Sequence, residues 1–409
     1  MRGIISRRPT SVNDSSYNVL MKGQVNSYMY MFFHCPIDIT NGNYDNYFPS
    51  IAVKNPSTIY LVFYGNSPAN PSYYQIRFTK STDGGNTWSS PIDITNGDYT
   101  QVEPAIAIDS SGNIHVVWSG ESSLAGYTYY QLRYAKSTDG GITWSNPIDI
   151  TSGLYQQEYP KIAIDSANNI YVVWDGTSAT YTYYQIRYAK STDGGNTWSS
   201  PIDITNTSYN QYKPAIAIDN SDNIHILWRG TSDTYYQIRY IKSTDKGNTW
   251  SSPIDITSGN YLQLYPAIVI DKAGNIHVVW DGRSPLSPTY YQIRYAKSID
   301  NGNTWSSPID ITSGNYYQYY PAIATDSFNN IHIVWEGESS LSPNYYQIRY
   351  AKSTDGGNTW SNPINISNEN YHQELSKIAI DSANNIHILW DGESSQSPNY
   401  YQIRYCRKS

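Results

Sequence analysis

Carboxylates occur at regular positions along this chain, and their spacing indicates what chemistry they can do. An aspartate stands third in the octapeptide STDGGNTW, Ser81 to Trp88, and this octapeptide or a close copy occurs six times. A glycosidase needs one non-equivalent pair of carboxyl groups, roughly 5 Å apart for retention or about 6.5–9.5 Å apart for inversion. Six equivalent aspartates do not make such a pair, so we predict that they stabilise turns. They are Asp83, Asp139, Asp193, Asp245, Asp300 and Asp355.

Glutamates in the more variable segments are the better candidates for acid–base chemistry, because they do not recur in every repeat. If the protein is a glycoside hydrolase, we expect its acid pair among Glu103, Glu121, Glu158, Glu338, Glu374 and Glu393. The candidates that directly follow a strand ending in Gly are Glu121, Glu338 and Glu393.

A second recurring pattern, Y-x-Q-x-x-P, combines phenols and amides. Tyrosine offers an apolar ring with a polar tip and glutamine offers both a donor and an acceptor, a combination suited to sugars or extended peptides. The alternative is that both side chains brace the loops, since a feature found in every repeat is often architectural. The candidate ligand-binding residues are Tyr99, Gln101, Tyr155, Gln157, Tyr209, Gln211, Tyr261, Gln263, Tyr316, Gln318, Tyr371 and Gln373.

The elements that position these residues are short β-strands. The tryptophans that close the octapeptides are 56, 54, 52, 55 and 55 residues apart, a period typical of propellers and similar arrays. Each period contains four β-rich segments, such as PAIAID, IHVVW, YYQLRYAK and PIDIT, bounded by turn residues. Both YYQIRY-like and PIDIT-like segments occur seven times. We therefore predict an all-β, seven-bladed β-propeller of four-stranded antiparallel blades, occupying residues 27–409.

The two ends of the chain are predicted to complete one blade together. The last copy, YYQIRYCRKS, stops before any octapeptide, whereas the chain begins with an unpartnered outer strand, MFFHCPIDIT. Sharing a blade removes the exposed edges of an open ring. Cys35 and Cys406 then face each other across antiparallel strands, at a separation that suits a disulfide. The alternative is two unrelated buried thiols. Residues 1–26 match no repeat, and we expect a poorly ordered extension.

The pattern S-x-D-x-G-x-T-W resembles the Asp-box of the sialidase and bacterial-neuraminidase-repeat families. The resemblance implies a turn between the third and fourth strands of each blade, away from the substrate face. Enzymes of that family use three arginines on the substrate carboxylate, a Tyr–Glu pair and an Asp acid, and they carry an F-R-I-P motif. That motif does not occur here, and only Arg229 and Arg283 lie in variable loops. The resemblance therefore covers the repeat and not the catalytic set.

Two other signals are interpreted structurally. His115, His225, His277, His332 and His387 form a regular series, but tyrosine replaces histidine in two repeats, so we expect packing residues and no metal site. The arginine of YYQIRY recurs in all seven copies, and we expect it to pair with carboxylates within the blades.

The composition of the chain limits the kinds of partner that we expect it to bind. The net charge of −7 comes with no basic stripe, which argues against nucleic acid, and no apolar run is long enough for membrane insertion. The start, MRGIISRRPT, lacks the apolar core of a signal peptide, whereas a disulfide and the family resemblance favour an extracellular or cell-surface location. The sequence therefore leaves the compartment open. We expect a monomer without cofactors.

Three functions are consistent with the sequence. The first is a non-catalytic recognition propeller that binds glycans or protein segments on its variable-loop face, with repeated weak subsites acting through avidity. The second is a sialidase-like glycoside hydrolase. The third is a structural scaffold without a small ligand.

Overall fold

Each repeat forms a four-stranded antiparallel sheet, because its short β-rich segments are separated by turns of Gly, Asn, Asp and Ser. The computed structural model describes residues 33–121, 129–231 and 234–408. The predicted extension, residues 1–26, lies outside the described residues. Within the described part of the chain there is no helix long and apolar enough to cross a membrane.

Seven sheets follow one another along the chain, and the strands of each are called A to D from the centre outwards. Strand D of the seventh blade is β1, His34–Asp38. Blades 1 and 2 comprise β2 (Asn46–Asn55), β3 (Thr58–Gly65), β4 (Gln75–Ser81), β5 (Ile92–Asp93), β6 (Gln101–Ile108), β7 (Ile114–Gly120), β8 (Gln131–Ser137) and β9 (Ile148–Asp149). Blades 3 and 4 comprise β10 (Gln157–Ile164), β11 (Ile170–Gly176), β12 (Gln185–Ser191), β13 (Ile202–Asp203), β14 (Gln211–Ile218), β15 (Ile224–Gly230), β16 (Gln237–Ser243) and β17 (Ile254–Asp255). Blades 5 to 7 comprise β18 (Ala267–Ile270), β19 (Ile276–Ser284), β20 (Ser287–Ser298), β21 (Ile309–Asp310), β22 (Gln318–Thr325), β23 (Ile331–Ser339), β24 (Ser342–Ser353), β25 (Ile364–Asn365), β26 (Gln373–Ile380), β27 (Ile386–Ser394) and β28 (Ser397–Lys408).

The termini complete the seventh blade, as predicted. Strand β1 pairs antiparallel with β28, with Asp38 opposite Arg404. Arg404 is almost fully buried, and its Nε atom lies 2.7 Å from Asp38 Oδ1. Cys406 is buried and disulfide-bonded. The side chain of Cys35 lies outside the described residues, so its pairing with Cys406 stays a prediction.

Aromatic and aliphatic side chains fill the spaces between neighbouring blades. Trp88 of blade 1 packs edge-to-face on Tyr405 of blade 7, with ring centroids 5.2 Å apart. Leu61 and Phe63 of blade 1 join Leu389 and Tyr405 of blade 7 in one buried cluster, which closes the ring. The other octapeptide tryptophans make the same contact with the preceding blade: Trp144, Trp198, Trp250, Trp305 and Trp360.

The octapeptide aspartate accepts hydrogen bonds from within its own turn. Asp83 Oδ1 accepts hydrogen bonds from Ser81 Oγ (2.8 Å) and from the amide of Thr87 (2.9 Å), and Asp83 Oδ2 accepts one from Thr87 Oγ1 (2.6 Å). Gly85 has a φ of 89°, and a Cβ there would collide with the hydroxyl of Tyr405. The turn therefore requires glycine both for its conformation and for the approach of the next blade.

The recurring arginines and histidines make contacts within the blades. Arg77 Nε lies 2.8 Å from Asp93 Oδ1, which ties strand C to strand D. His115 is buried between the Tyr134 hydroxyl, 2.7 Å from its Nδ1, and Asp109, 3.3 Å from its Nε2. Among the residues that the structure describes, no group of three His, Cys, Asp or Glu side chains is arranged to hold a metal ion.

Candidate functional site

The glutamines of the Y-x-Q-x-x-P motif lie inside the blades. Gln101 Oε1 accepts hydrogen bonds from Trp118 Nε1 (2.6 Å) and Arg133 Nη1 (3.3 Å), and its Nε2 donates to the carbonyls of Tyr99 and Glu121. The side-chain amide of Gln101 therefore uses both its oxygen and its nitrogen in hydrogen bonds within the protein. The same indole-to-amide bond positions Gln157, Gln211, Gln263, Gln318 and Gln373, and all six glutamines are at most 2% exposed.

The tyrosines of that motif lie at the surface of the same loops, and we call them the rim tyrosines. Their backbone is structural, since the carbonyl of Tyr99 accepts hydrogen bonds from Gln75 and Gln101. Their rings reach solvent, with Tyr155 and Tyr209 about 37% and 43% exposed. A role of their rings in ligand binding stays a prediction. The rim tyrosines are Tyr99, Tyr155, Tyr209, Tyr261, Tyr316 and Tyr371.

The residue two positions after each motif glutamine, or after Asn46 in blade 1, is of five different types in the seven blades. In six blades it has a positive φ of 49–57° although it is never glycine, and the pairing register of strand A shifts around it. Such a bulge re-aims a side chain out of the regular alternation. These seven residues line the top of the central cavity, and we call them the mouth ring: Phe48, Glu103, Tyr159, Lys213, Tyr265, Tyr320 and Leu375.

The cavity below the mouth ring has a volume of about 340 Å³. Its wall consists of strand A residues from all seven blades, which places these strands innermost. Most wall residues are Pro, Ala and Ile, whereas the mouth ring combines aromatic and charged side chains. The chemical variety of the ring is therefore concentrated at one opening.

Buried carboxylates attach the mouth ring of one blade to strand B of the preceding blade, and we call these four residues the seal acids. Asp391 Oδ2 accepts the amide of Phe48 (3.3 Å), and Glu336 Oε2 accepts that of Leu375 (2.7 Å). Burial raises the pKa of Asp391 to about 8 and that of Glu336 well above its ordinary value. The seal acids are Asp175, Asp281, Glu336 and Asp391.

One sector of the mouth ring brings opposite charges together. Glu103 Oε2 accepts the amide of Tyr159 (2.9 Å) and also interacts with the phenol of Tyr159. The ammonium group of Lys213 lies over the ring of Tyr159. Burial lowers the pKa of Lys213 to about 7, partly offset by the nearby Asp175 and Glu103.

Two arginines beside this sector stack on tyrosines. The guanidinium carbon of Arg229 lies 4.8 Å from the ring centroid of Tyr265, and that of Arg283 lies 4.6 Å from that of Tyr291. The Nε atoms of both arginines are buried without a hydrogen-bond partner. Arg229 occupies the position where blades 3, 5, 6 and 7 have a seal acid, so the charge reverses in blade 4 alone among these blades.

Tyrosines of the same loops contact one another in three separate groups, which lie at blades 7 and 1, at blades 3 and 4, and at blades 5 and 6. For example, the ring of Tyr319 stacks on that of Tyr317, with centroids 5.7 Å apart, and meets that of Tyr346 edge-on at 5.9 Å. We call this set the tyrosine belt: Tyr47, Tyr64, Tyr74, Tyr184, Tyr212, Tyr236, Tyr291, Tyr317, Tyr319, Tyr346 and Tyr401.

The predicted loop glutamates are distributed around the ring. Glu121, Glu338 and Glu393 belong to blades 2, 6 and 7, and none of them lines the cavity. Glu121 Oε2 accepts the amide of Thr100 (3.1 Å), and Glu338 Oε2 accepts that of Tyr317 (3.3 Å). Of the six glutamates considered from sequence, Glu103 alone lines the cavity.

Comparisons with known proteins identify the repeat. The BNR repeat-like domain matches residues 46–278 and, in a second match, residues 169–390. A sialidase from Clostridium perfringens is 29% identical, and the match covers 49% of this chain and 59% of that protein. A sialidase from Bacteroides fragilis is 26% identical over 66% of this chain and 56% of that protein. The chain thus matches less than two thirds of the length of these relatives.

Solved structures share the architecture at low sequence identity. A polysaccharide lyase, an ulvan lyase, superposes with a TM-score of 0.61 at 13% identity, covering 89% of this chain and 95% of that one. A protein of unknown function from Dyadobacter fermentans has a TM-score of 0.59 at 14% identity, covering 93% of this chain and 99% of that one. Likeness at this level of identity establishes the fold.

Proposed function

The chain belongs to the family of BNR repeat-like domains, and from this membership we propose that its mouth binds carbohydrate. The observation that carries the proposal is the combination of the mouth ring with the three tyrosine groups of the tyrosine belt. Aromatic faces suit the apolar faces of sugar rings, and the phenols and charged groups between them suit hydroxyls. The relatives named sialidases and the ulvan lyase fold neighbour are consistent with a glycan ligand.

The protein acts in this proposal as a recognition module. The seal acids are used to hold backbone amides, and the motif glutamines are saturated by Trp and Arg, so both sets serve the scaffold. The ring residues and the rim tyrosines then contact successive sugars, and several weak subsites add up through avidity. The disulfide-bonded Cys406 suits an oxidising, extracellular setting.

A glycan array followed by calorimetry on the purified chain tests this proposal. Tyr265 and Tyr320 pack against each other in the mouth ring, with centroids 4.0 Å apart. Replacing either by Ala should weaken binding about 2- to 10-fold, since one aromatic contact contributes about 0.5–1.5 kcal/mol. Tyr183→Ala is the matched control, because Tyr183 is 46% exposed and lies outside the ring. Equal losses in all three variants would contradict binding at the mouth.

We expect the two arginines beside the mouth ring, Arg229 and Arg283, to determine which glycans are preferred. Arg229 and Arg283 can donate hydrogen bonds to hydroxyls or to an acidic group, while Arg229→Gln and Arg283→Gln keep donors but remove the charge. If the ligand is acidic, these variants should lose affinity for the acidic members of the array alone. Equal affinity for neutral glycans in wild type and variants is the internal control. A peptide array run in parallel distinguishes the protein-segment alternative.

The second candidate is glycoside hydrolysis, favoured by one observation. The Glu103 carboxylate contacts Tyr159 within the mouth ring, and both line the cavity. A panel of fluorogenic glycosides, sialosides included, tests this candidate. Turnover that is abolished in Glu103→Gln but retained in Glu338→Gln would establish the hydrolase and reject the pure recognition module. Binding without turnover of any panel member would support recognition.

A further inference from the structure

Two lysines break an otherwise uniform ring of small side chains inside the central cavity. The residue four positions after the motif glutamine, or after Asn46 in blade 1, faces strand B at the same register in every blade. It is Lys161 in blade 3 and Lys377 in blade 7. The other five blades have Ser50, Ala105, Ala215, Ala267 and Ala322. The architecture therefore does not require lysine at this position.

Neither ammonium group is neutralised by an ion pair. Lys161 Nζ donates to the carbonyl of Pro160 (3.2 Å), and Lys377 Nζ donates to that of Ser376 (3.3 Å). Among the described residues, no carboxylate oxygen lies within 4.0 Å of either Nζ. Each ammonium has three N–H donors, so most of them have no partner within the protein.

The charged groups that line the cavity are mainly cationic. They are Lys161, Lys213 and Lys377 against the single carboxylate of Glu103. Burial lowers the pKa of Lys377 to about 8, and repulsion by Lys161 adds to this effect. The seal acids lie behind the wall, and burial raises the pKa of Asp175, Asp281 and Asp391 to about 8. Burial thus favours the neutral form of these acids, and the pKa of Glu336 is shifted in the same direction.

We propose that Lys161 and Lys377 bind an oxyanion within the central cavity. They belong to blades three apart around the closed ring, so their ammonium groups approach the cavity from opposite sides. Two such donors inside a confined space suit phosphate, sulfate or the acidic group of a sugar. Binding relieves the repulsion between the lysines and engages their free donors. This inference does not depend on glycan binding at the mouth.

Calorimetry on the full chain at pH 6.5, in buffer without phosphate or sulfate, tests the proposal. The probes are inorganic phosphate, inorganic sulfate and a glucuronate oligosaccharide. Lys161→Ala and Lys377→Ala should each weaken binding about tenfold, and the double variant should abolish it. Both variants are expected to fold, because Ala occupies this position in four blades. Lys161→Met and Lys377→Met are a second pair of variants, which remove the ammonium group but retain the side-chain volume. Lys272→Ala, an exposed lysine on the A–B turn of blade 5, is the control.

The probes distinguish the source of the anion. Binding of phosphate or sulfate that needs both lysines supports a free anion, and binding of the oligosaccharide alone assigns the site to an acidic sugar. Failure of all three probes to bind wild type, or equal binding by the double variant, would overturn the proposal. Thermal unfolding gives an independent readout, since phosphate should raise the Tm of wild type and Lys272→Ala but not of the double variant. Affinity for a neutral glycan, measured separately, should be the same in the lysine variants.

Discussion

Asp175 Oδ1 accepts a hydrogen bond of 3.1 Å from the backbone amide of Lys213 in the following blade. A carboxylate of one blade thus fixes the mouth-ring residue of the next. Blade 4 has Arg229 at this position, which offers no acceptor, and the following inner strand begins at Ala267. Gln263 there forms only an isolated bridge with Gly282. Seal acids thus hold four of the six bulges, and the inner strand that follows Arg229 has no bulge.

The first prediction concerns a seal acid. Asp281→Ala should reduce the free energy of unfolding by about 1–3 kcal/mol, because the buried amide of Tyr320 loses its acceptor. Asp281→Asn keeps an acceptor oxygen and should cost less. Urea unfolding at pH 6 measures both. If the two variants lose the same stability, hydrogen bonding to the bulge is not what Asp281 contributes.

The same residue predicts a pH dependence. Burial raises the pKa of Asp281 from its ordinary value near 3.8 to about 8 in the folded protein. The folded state thus binds the extra proton between these values, so this contribution to stability is complete below pH 3.8 and disappears as the pH rises through 8. Asp281→Asn removes the titration and should flatten the stability profile between pH 5 and 8. An unchanged slope in the variant would refute the assignment.

The octapeptide aspartates predict the opposite dependence on pH. Hydrogen bonds from the side chain and amide of Thr197, and from Ser191, lower the pKa of Asp193 to about 2. Stability from this group is present above its ordinary pKa of 3.8 and is lost as the pH falls through about 2. Asp193→Ala should lower the Tm at pH 7 and lose this acid dependence, with ligand binding unchanged. A loss of binding at unchanged Tm would indicate a functional role for the turn.

The buried histidines should make the protein sensitive to mild acid. Burial lowers the pKa of His225 below its ordinary value of 6.5, against an opposing effect of Asp219. The unfolded chain binds the proton first, so stability falls as the pH drops below 6.5. His225→Tyr copies blade 3, where Tyr171 donates to Asp165 at 2.9 Å. The variant should show a smaller Tm decrease between pH 6.5 and 5, and an equal decrease would contradict this explanation.

The pairing of β1 with β28, which completes the seventh blade, predicts the effects of truncating the N-terminus. A chain starting at residue 41 lacks β1 and should aggregate or unfold at a much lower temperature, because β28 loses its partner strand. Asp38→Ala removes the ion pair to Arg404 and the hydrogen bond from Ser394 Oγ but keeps β1, so it should have a smaller effect. A chain starting at residue 27 should melt like the full chain. Equal stability of the chain starting at residue 41 would disprove the contribution of the N-terminal strand.

Much of the fold could be predicted from the sequence, because the strands of the blade recur in each repeat and each recurrence supports the same assignment. The octapeptide turns, the Trp contacts such as Trp88 on Tyr405, and the Arg77–Asp93 pair depend on local spacing, so they could be predicted. The outer strands are shorter than PIDIT suggests, since only Ile92–Asp93 pairs as strand in blade 1. The Pro that starts the segment has no amide proton to donate.

The mouth ring could not be predicted, because the regular alternation of side chains along a strand assigns its residues to the wrong face. In a regular strand, Gln101 and Glu103 would share one face, yet Gln101 is buried in the blade and Glu103 lines the cavity. The left-handed backbone at Glu103, with a φ of 57°, causes the difference. A non-glycine residue gives no sequence signal for this conformation. A usable signal was the variability of the residue that directly precedes the motif proline.

The bulge also has a consequence for how this protein can evolve. Each blade places one mouth-ring side chain at the cavity, and in five blades a carboxylate of the preceding blade holds that residue through its backbone amide. Duplicating a blade therefore copies a stable wall, after which a single codon can change the new copy's contribution to ligand choice. The seven present residues, among them phenylalanine, glutamate, lysine and leucine, have the diversity that such a history would leave.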